Sequence, residues 1–316
     1  MNSNMFTDEL IDKVLKCRNH TVVGLDPRLE YIPEHIKEET LKGMDDKDPD
    51  YSKGVAEAFF RFNKEIIDAI CDIVPAVKPQ IAFYEQYGLA GLECFIKTCG
   101  YAKQKGMSVI GDVKRGDIGS TAEAYSDFYL GGKQYSADTD CITVNPYLGT
   151  DSLAPFIKDC SKNGKGIFIL VKTSNKSSID IQDLVSDGKM IYEHVAEMVA
   201  GLGKEHIGSR GYSAVGAVVG ATFRKDAAKL RKIMKDNYFL VPGYGAQGGT
   251  AADVVECFNE DGLGAIVNSS RGIIAAYKSG QYKEQGLDFA AAARAAAISM
   301  RDDINKELEK QGKLAW

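Results

Sequence analysis

The stretch "MSVIGDVKRGDIGSTAEAYSDFYLGG", residues 107–132, contains a complete strand–loop–helix unit. Residues 107–114 are rich in Val and Ile and predict a buried strand, whereas residues 120–132 carry a helical pattern. Four charged residues lie at the end of the strand or in the loop, namely Asp112, Lys114, Arg115 and Asp117. A buried strand that ends in several charges is typical of a site at the carboxyl end of a parallel sheet.

Strand-like runs of this kind recur along the chain, each short, apolar and bounded by Gly, Pro or Asn. They are residues 20–26, 76–84, 107–114, 141–146, 166–172, 214–220, 238–243 and 264–270. Continuous apolar runs favour parallel strands that are covered on both faces. Helical patterns fall between them, at residues 51–73, 85–104, 120–132, 188–205, 223–236, 250–260 and 288–310. This alternation predicts a (β/α)8 TIM barrel, with a doubly wound open sheet as the alternative.

The length and composition suit one large α/β domain, since the chain has 316 residues of which 44% are hydrophobic. The sequence has no internal repeat and no low-complexity linker, so we expect residues 1–316 to form a single barrel domain. The polar stretch after the first strand, residues 31–52, is predicted to be an insertion too short to form a domain. Its acidic part, residues 43–50, is interpreted as a solvated loop.

The charge and cysteine content argue against several classes of protein. The net charge of -5, with both signs interleaved, gives no indication of a nucleic-acid partner. No apolar run approaches the roughly 20 residues that a membrane helix needs, and the first residues lack a signal-peptide pattern. The seven cysteines are scattered without a C-x-x-C pair, which is typical of reduced thiols in a cytoplasmic protein. The four histidines show no metal-ligand spacing, and we expect no functional role for His20.

Polar residues mark the ends of several predicted strands, where the chemistry of a parallel barrel collects. They are Asp26, Lys78, Asp112, Lys114, Asn145, Lys172, Asn268 and Arg271. Because side chains alternate along a strand, Asp112 and Lys114 are predicted to share the inward face, opposite Val113. A salt-bridged strand end would explain one such pair, but Lys78 adds a second cation at the same end. Alternating Lys and Asp keep their charges because each neutralises its neighbours, and a lysine held in this way can deliver a proton to a carbon.

A glycine-rich segment, "VPGYGAQGGT" (residues 241–250), follows the seventh strand and precedes a helix. Its backbone N–H groups can close on an anion, Gln247 can donate an amide hydrogen bond, and Arg271 can bind a phosphate with two N–H groups. Loops after strands seven and eight are the usual phosphate site of such barrels. The glycines also match a dinucleotide fingerprint, but the next strand ends in Asn268 instead of the expected acid. The other alternative is that this segment only tightens the strand–helix junction and binds nothing. Arg271, just past the eighth strand, argues against that alternative.

Seven motifs carry a resemblance to a known family. They are "VGLD", "AVKPQIAFYEQYG", "GDVKRGDIGSTAEAY", "VNPYLGTDS", "LVKTSN", "VPGYGAQGG" and "VNSSRGI", in order between about residues 20 and 280. Together they look like the motifs of the orotidine 5′-phosphate decarboxylase family. The longer chain and the "TSN" element are similar to the branch found in some bacteria and in malaria parasites. The D-x-K-x-x-D element at residues 112–117 is specific to this family and its close superfamily relatives.

The resemblance implies a fold and a reaction. The family is a phosphate-binding (β/α)8 barrel that works as a homodimer and uses no cofactor and no metal. It converts orotidine 5′-monophosphate to uridine 5′-monophosphate and CO₂, the last step of de novo pyrimidine synthesis. We therefore expect a carbon–carbon lyase with a small nucleotide substrate, and no nucleic-acid or membrane partner.

By position, the resemblance implies a charged tetrad made of Lys78, Asp112, Lys114 and Asp117. Lys114 would protonate C6 of the pyrimidine as CO₂ leaves, and Asp112 would lie against the departing carboxylate. Lys78 would hold Asp112 and a ribose hydroxyl. Binding energy from a remote phosphate can be used at such a reacting centre, and preorganised lysines can stabilise the carbanion.

The loop after the third strand is implied to serve a second subunit. Asp117 would reach into the partner subunit's site across the homodimer interface, with Ile118 and Thr121 beside it. Arg115 has no place in the tetrad, and we expect it to be solvated or locally paired.

Further residues are implied to bind the substrate directly, namely Asp26, Gln80, Thr173, Ser174, Asn175, Gln247 and Arg271. Asp26 would bind the ribose, and Gln247 with Arg271 would hold the phosphate. The "TSN" element would line the pyrimidine. Which group contacts the base is left open between the Thr173 hydroxyl, the Ser174 hydroxyl and a backbone group near Asn175. Gln80 replaces an asparagine found in some members, which leaves its role open.

Two other functions stay open at the level of sequence. Mg²⁺-dependent sugar-phosphate decarboxylases and synthases of the same superfamily share the D-x-K-x-x-D element. By resemblance they carry glutamate where this chain has Lys78, and a lysine there would repel a divalent ion. A non-catalytic nucleotide-binding barrel is the second alternative, although every member of the tetrad is present.

Overall fold

The computed structural model describes residues 5–245, 248–286 and 288–316. The barrel strands are β1 (Thr21–Leu25), β2 (Ala76–Pro79), β3 (Ser108–Arg115), β4 (Cys141–Val144), β5 (Gly166–Lys172), β8 (Ser213–Val219), β9 (Asn237–Val241) and β10 (Ala265–Ser269). They are parallel and close in the order β1-β10-β9-β8-β5-β4-β3-β2. Two further strands, β6 (Val185–Ser186) and β7 (Lys189–Met190), form a separate antiparallel hairpin. The predicted (β/α)8 barrel is confirmed, and the open-sheet alternative is wrong.

Helices cover the outside of the barrel and one of its ends. They are α1 (Phe6–Cys17), α2 (Glu34–Thr40), α3 (Tyr51–Ile70), α4 (Ala82–Glu85), α5 (Gly88–Gln104), α6 (Gly119–Leu130), α7 (Thr150–Asn163), α8 (Ile179–Gln182), α9 (Ile191–Gly203), α10 (Arg224–Ile233), α11 (Ala251–Val254), α12 (Arg271–Ile274), α13 (Gly280–Glu284) and α14 (Phe289–Lys310). Short 3-10 helices extend the connections at Leu29–Tyr31, Lys176–Ser178, Lys204–His206, Val255–Cys257 and Ala276–Lys278.

Several connections differ from the sequence-based expectation. The strand predicted over residues 76–84 ends at Pro79, and the helical turn α4 follows after a single bridge between Gln80 and Asp112. The sequence pattern predicts no helix at the positions of α1 and α7. Helix α7 contains Pro155, a residue that normally argues against a helix interior.

The stretch after β1 is only partly irregular. Helix α2 lies within residues 31–52 and buries Ile36, whereas residues 43–50 form mostly exposed turns. The exposed turns agree with the expected solvated loop. The assignment of residues 1–316 to one domain with an insertion at 31–52 stays a prediction.

The apolar core has two layers, one inside the barrel and one between the strands and the helices. Helix α1 closes the barrel at the end where the strands begin. Phe6 packs edge-on against Phe168 with ring centroids 6.3 Å apart, and the Thr7 hydroxyl donates to the Ser213 carbonyl at 3.0 Å. The barrel is therefore filled and covered at this end, which leaves the carboxyl-terminal ends of the strands for a ligand.

The strand register brings the predicted polar positions side by side at that carboxyl-terminal end. Gly24 of β1 lies beside Lys78 of β2, and a bridge joins Gln80 to Asp112. The seam between β1 and β10 is tight, because a Cβ added at Gly24 would lie 1.8 Å from the Ser270 hydroxyl oxygen. Parallel pairing thus places Asp112 next to Lys78 although 34 residues separate them.

His20 lies just before β1 among aromatic rings. Its ring centroid is 4.7 Å from that of Phe258 and 5.0 Å from that of Trp316, on which it stacks. Burial lowers the pKa of His20 from 6.5 to about 3, so the ring is neutral at physiological pH. This environment agrees with the expectation that His20 has no functional role.

The membrane and cysteine expectations can be compared with the described part of the chain. None of its helices combines the length and the apolar character needed to cross a bilayer. All seven cysteines are free thiols, and five of them are buried. Burial raises the pKa of Cys94 to about 12, which keeps this thiol protonated and unreactive.

We expect His20 to make the protein less stable as the pH falls from 7 to 5. The unfolded chain takes up a proton at a His20 pKa near 6.5, whereas the folded chain resists protonation down to about pH 3. Protons therefore favour the unfolded state in this window, by about 2 kcal/mol at pH 5. Chemical denaturation of the wild type and of His20→Phe, whose ring does not titrate, measures this contribution. An equal loss of unfolding free energy in both proteins would show that His20 is not responsible.

Candidate active site

The carboxyl-terminal ends of the barrel strands surround a cavity of about 660 Å³, a size that suits a small ligand. Nine of the polar residues that the sequence places at strand ends or in the site line it, namely Asp26, Lys78, Asp112, Lys114, Thr173, Ser174, Asn175, Asn268 and Arg271. Apolar side chains complete the wall, among them Leu170, Val218 and Leu240. These residues lie together at one end of the barrel, as expected, whereas Asn145 and Lys172, also expected there, do not line the cavity.

A carboxylate between two ammonium groups forms the centre of the site. Lys78 Nζ donates to Asp112 Oδ2 at 2.6 Å, and Lys114 Nζ donates to Asp112 Oδ1 at 2.5 Å. The Lys78 and Asp112 side chains are only 5% and 12% exposed, whereas that of Lys114 is 47% exposed. The Lys78–Asp112 pair is thus buried, whereas Lys114, the lysine that would act on a ligand, is accessible from the cavity.

The two buried members of this cluster keep each other charged. Burial raises the pKa of Asp112, but the ammonium groups of Lys78 and Lys114 outweigh it, so the pKa lies below its usual range. Burial lowers the pKa of Lys78, but the carboxylates of Asp112 and Asp26 outweigh it and raise the pKa above the usual lysine value. Both groups are therefore ionised at neutral pH, which an isolated buried charge would not be.

Lys114 reaches the cavity through a bulge in β3. Its φ is 46°, a left-handed conformation that is uncommon for a residue with a side chain. The pairing with β4 shifts between Gly111 and Arg115, so the regular alternation assumed from the sequence does not continue to Lys114. The prediction that Asp112 and Lys114 lie together is confirmed, but the physical reason is the bulge and not the two-residue period.

Asp26, just after β1, lies on the cavity wall. One of its carboxylate oxygens is buried and has no hydrogen-bond partner among the described residues. Its charge contributes to the raised pKa of Lys78, so the two side chains face the same space. A buried acceptor without a partner that lines a cavity is suited to a hydroxyl group of a ligand.

The segment Thr173–Asn175, which follows β5, lines another side of the cavity. Gln182 of α8 holds it by two hydrogen bonds, because its Oε1 accepts from the Thr173 N–H at 3.0 Å and its Nε2 donates to the Thr173 hydroxyl at 2.8 Å. The Thr173 hydroxyl in turn donates to Asn175 Oδ1 at 2.7 Å. Gln182 was not expected from the sequence, because it lies in a stretch without helical or strand periodicity.

Arg271 begins α12 and lines the cavity together with Gly243 and Tyr244 of the glycine-rich segment. Gly243, Gly245 and Gly248 have φ values of 104°, 70° and 92°, which require glycine. The N–H groups of Gly245 and Gly248 donate to carbonyl oxygens of the same segment, whereas the sequence predicts such groups to close on an anion. Gln247, the predicted partner of Arg271, lies outside the described residues.

Asp117, Ile118 and Thr121 do not line the cavity of their own chain. They lie in the loop after β3 and the first turn of α6, where Ile118 is 56% exposed and Thr121 is also exposed. The Asp117 carboxylate accepts a hydrogen bond from the Ile118 N–H at 2.8 Å. Their predicted role in the site of a second subunit stays a prediction.

Two other residues near the site have local partners. Gln80 does not line the cavity, and its Oε1 accepts from the Ala82 N–H at 3.3 Å at the start of α4, so a direct ligand contact is not supported. Arg115 pairs with Glu85 at 2.5 Å, and its guanidinium lies 5.7 Å from the centre of the Tyr129 ring. The expectation that Arg115 is a locally paired side chain is confirmed.

The structure also adds cavity residues that sequence reasoning missed. Arg28, Tyr31 and Phe83 also line it, and the Arg28 guanidinium lies 5.3 Å from the centre of the Phe83 ring. Tyr277, after β10, holds this part of the wall by donating its hydroxyl to the Tyr31 carbonyl at 3.1 Å. Arg28 lies two residues after the end of the first predicted strand, at residue 26, and this position was the available signal. Thr143 is a further missed residue, since a threonine inside a strand carries no signal.

A metal site was also sought among the described residues. They contain no group of three or more His, Cys, Asp and Glu side chains placed to hold a metal ion. The cations at the centre of the cavity are the ammonium groups of Lys78 and Lys114.

Comparison with known proteins identifies the family. The model of the orotidine 5′-phosphate decarboxylase / HUMPS family matches residues 22–284. The chain belongs to this family. Its relatives include the orotidine 5′-phosphate decarboxylases of Rhodopirellula baltica, 44% identical over 304 residues, and of Clostridium perfringens, 44% identical over 307 residues. These alignments cover 95% and 97% of this chain and 98% and 100% of the relatives.

A solved structure with the same fold is the UMP synthase of Leishmania donovani. It matches with a TM-score of 0.74 at 31% sequence identity and covers 96% of this chain. The present chain spans 57% of that protein. The resemblance to the orotidine 5′-phosphate decarboxylase family inferred from sequence motifs is thus confirmed over nearly the whole chain.

In this member of the decarboxylase family, we expect Asp112→Asn to lower the free energy of unfolding by about 3 kcal/mol. The substitution removes the carboxylate that neutralises the buried ammonium of Lys78. Chemical denaturation at pH 7 measures the loss. Asp46→Asn, on the exposed turn of residues 43–50, is a matched control and should change stability by less than about 0.5 kcal/mol. Equal effects of the two substitutions would contradict the role assigned to Asp112.

Proposed function

We propose that the chain decarboxylates orotidine 5′-monophosphate to uridine 5′-monophosphate and CO₂, as the last step of de novo pyrimidine synthesis, without a metal or cofactor. The family and the names of the curated relatives support this reaction. The observation that carries the chemical part is the Asp112 carboxylate held between Lys78 and Lys114 at 2.6 and 2.5 Å. Lys78, Asp112, Lys114 and Asp117 form the proposed tetrad.

The proposed reaction breaks the bond between C6 of the pyrimidine and its carboxylate. The electron pair stays on C6, CO₂ leaves, and Lys114 donates a proton from its ammonium group to C6. The resulting neutral lysine regains a proton from solvent. Asp112 lies against the departing carboxylate, so the repulsion between them is relieved in the transition state, while both lysines stabilise the charge that develops on C6.

The substrate would span the cavity from the pyrimidine wall to the phosphate end. Thr173, Ser174 and Asn175 are proposed to contact the pyrimidine, and Asp26 with Lys78 the ribose hydroxyls. Arg271 is proposed to bind the phosphate together with Gln247. The apolar wall formed by Leu170, Val218 and Leu240 keeps the dielectric constant low, which strengthens the field of the lysines.

We also propose that the protein is a cytoplasmic homodimer that acts as a single-domain enzyme on a small nucleotide. Ile118 and Thr121 are exposed and Asp117 is half-buried in their own chain, where they are available to complete the site of a partner subunit. A carboxylate from the partner would neutralise Lys114, which in one chain has Asp112 alone as its ion-pair partner among the described residues. No nucleic-acid or membrane partner is part of this proposal.

The magnesium-dependent alternative is disfavoured by the position of Lys78. Its ammonium group already occupies the place beside Asp112 that a divalent cation would take, and its raised pKa keeps it positive. A purely nucleotide-binding barrel is disfavoured because Asp112, a costly buried charge, would repel the carboxylate of a bound substrate and so weaken binding.

We expect turnover of orotidine 5′-monophosphate in the presence of excess EDTA, followed as the loss of its ultraviolet absorbance. Lys114→Ala should reduce turnover by at least about 10³-fold, because the proton donor is lost, while uridine 5′-monophosphate still binds in calorimetry. Lys47→Ala, an exposed lysine in the same chain, is the matched control and should keep full activity. A wild type without decay would refute the proposed function, and decay that depends on Mg²⁺ would favour the alternative.

We expect two inactive variants, Asp117→Asn and Lys114→Ala, to recover activity when they are mixed. A mixed dimer contains one site with an intact tetrad, so turnover should approach about a quarter of the wild-type value after complete subunit exchange at equal concentrations. Native mass spectrometry of one isotope-labelled variant verifies the exchange. Verified exchange without recovery at any mixing ratio would show that Asp117 does not act across an interface.

A further inference from the structure

Thr143, the third residue of β4, lies at the centre of the site but carries no charge. It is 1% exposed. Its hydroxyl oxygen accepts hydrogen bonds from the N–H groups of Val113 and Lys114, each at 3.0 Å, and donates to Asp112 Oδ1 at 3.0 Å. A hydroxyl has one donor and two acceptor positions, so this side chain uses its full capacity on three consecutive residues of β3.

These hydrogen bonds replace the backbone ladder where β3 bulges. Gly111 pairs with Ile142 and Arg115 pairs with Val144, so residues 112–114 of β3 lie opposite Thr143 alone. The ladder resumes beyond the bulge, where the Asn145 N–H donates to the Arg115 carbonyl at 2.8 Å. Without the Thr143 hydroxyl, two N–H groups of the bulge would lose their acceptor, which is costly in a buried strand.

The direction of the hydroxyl proton follows from these contacts. Both N–H groups approach the oxygen as donors, so the proton of the hydroxyl points to the carboxylate of Asp112. Oδ1 of Asp112 then accepts from Thr143 and Lys114, and Oδ2 accepts from Lys78. The plane of the carboxylate is thereby fixed by donors from three different strands.

We propose that Thr143 is a positioning residue for the tetrad. Its hydroxyl holds the Asp112 carboxylate and, through two backbone N–H groups, the left-handed backbone that carries Lys114. The proton donor is thus aimed at its target before a substrate binds. This inference rests on the proposed function, because it concerns the step that Lys114 performs, and it assigns no chemical step to Thr143 itself.

The test compares T143V, which keeps the shape of the side chain but removes the hydroxyl, with T143S, which keeps the hydroxyl. We expect T143V to lower kcat by about 10- to 100-fold, the effect of a misplaced catalytic group, with KM changed by less than about 3-fold. T143S should retain kcat within about 3-fold of the wild type. This separation of kcat from KM, and the rescue by serine, would not arise from a general loss of stability.

A matched control is available in the same region. Thr139 is also buried, and its hydroxyl donates to the Tyr129 carbonyl at 3.0 Å without contacting the tetrad. T139V should lower the melting temperature as T143V does, but it should keep the wild-type kcat. If T143V does not fold by circular dichroism, T143A takes its place, with the same expected kcat below that of T143S.

The outcomes separate this inference from the proposed function. A wild type that does not turn over orotidine 5′-monophosphate overturns the proposed function and this inference with it. An active wild type whose T143V or T143A variant keeps the kcat of T139V overturns the positioning role alone. An active wild type with a selective kcat loss that T143S avoids is the expected result.

Discussion

A buried carboxylate between two ammonium groups is the interaction on which the rest of the site depends. Asp112 carries its charge inside the barrel because Lys78 and Lys114 donate to its two oxygens. If either cation is removed, the remaining charges are only partly neutralised in a region that water reaches poorly. The site therefore exists as a unit, and the folded chain fixes the direction of its electric field before any ligand arrives.

The barrel supplies the conditions that this interaction needs. Parallel strands bring Lys78 and Asp112 to the same end, and α1 covers the opposite end with Phe6 packed against Phe168. Ligands can therefore reach the cavity only from the carboxyl-terminal end of the barrel, because the interior and the opposite end are filled. An apolar wall next to the charges keeps their interaction strong, as electrostatics in a medium of low dielectric constant requires.

The sequence was informative where one simple rule decides the structure. The run at residues 166–172 coincides with β5 (Gly166–Lys172) because a continuous apolar run bounded by polar residues shows where a buried strand begins and ends. The cluster of charges at strand ends was likewise predictable from the parallel topology. The bulge at Lys114 was not, because it depends on a hydrogen bond that the Lys114 N–H donates to the hydroxyl of Thr143, a residue 29 positions away. Helix α7 was missed because it contains Pro155, and a proline in the interior of a segment lowers its predicted helix propensity.

The left-handed backbone at Lys114 has a consequence for how this protein can change. Glycine or asparagine would adopt φ of 46° more readily than lysine does. Selection for stability alone would therefore favour replacing the residue that carries the exposed ammonium group. Lysine persists at such a position only if something other than folding rewards it, so laboratory evolution of a more heat-resistant variant needs an activity screen at every round.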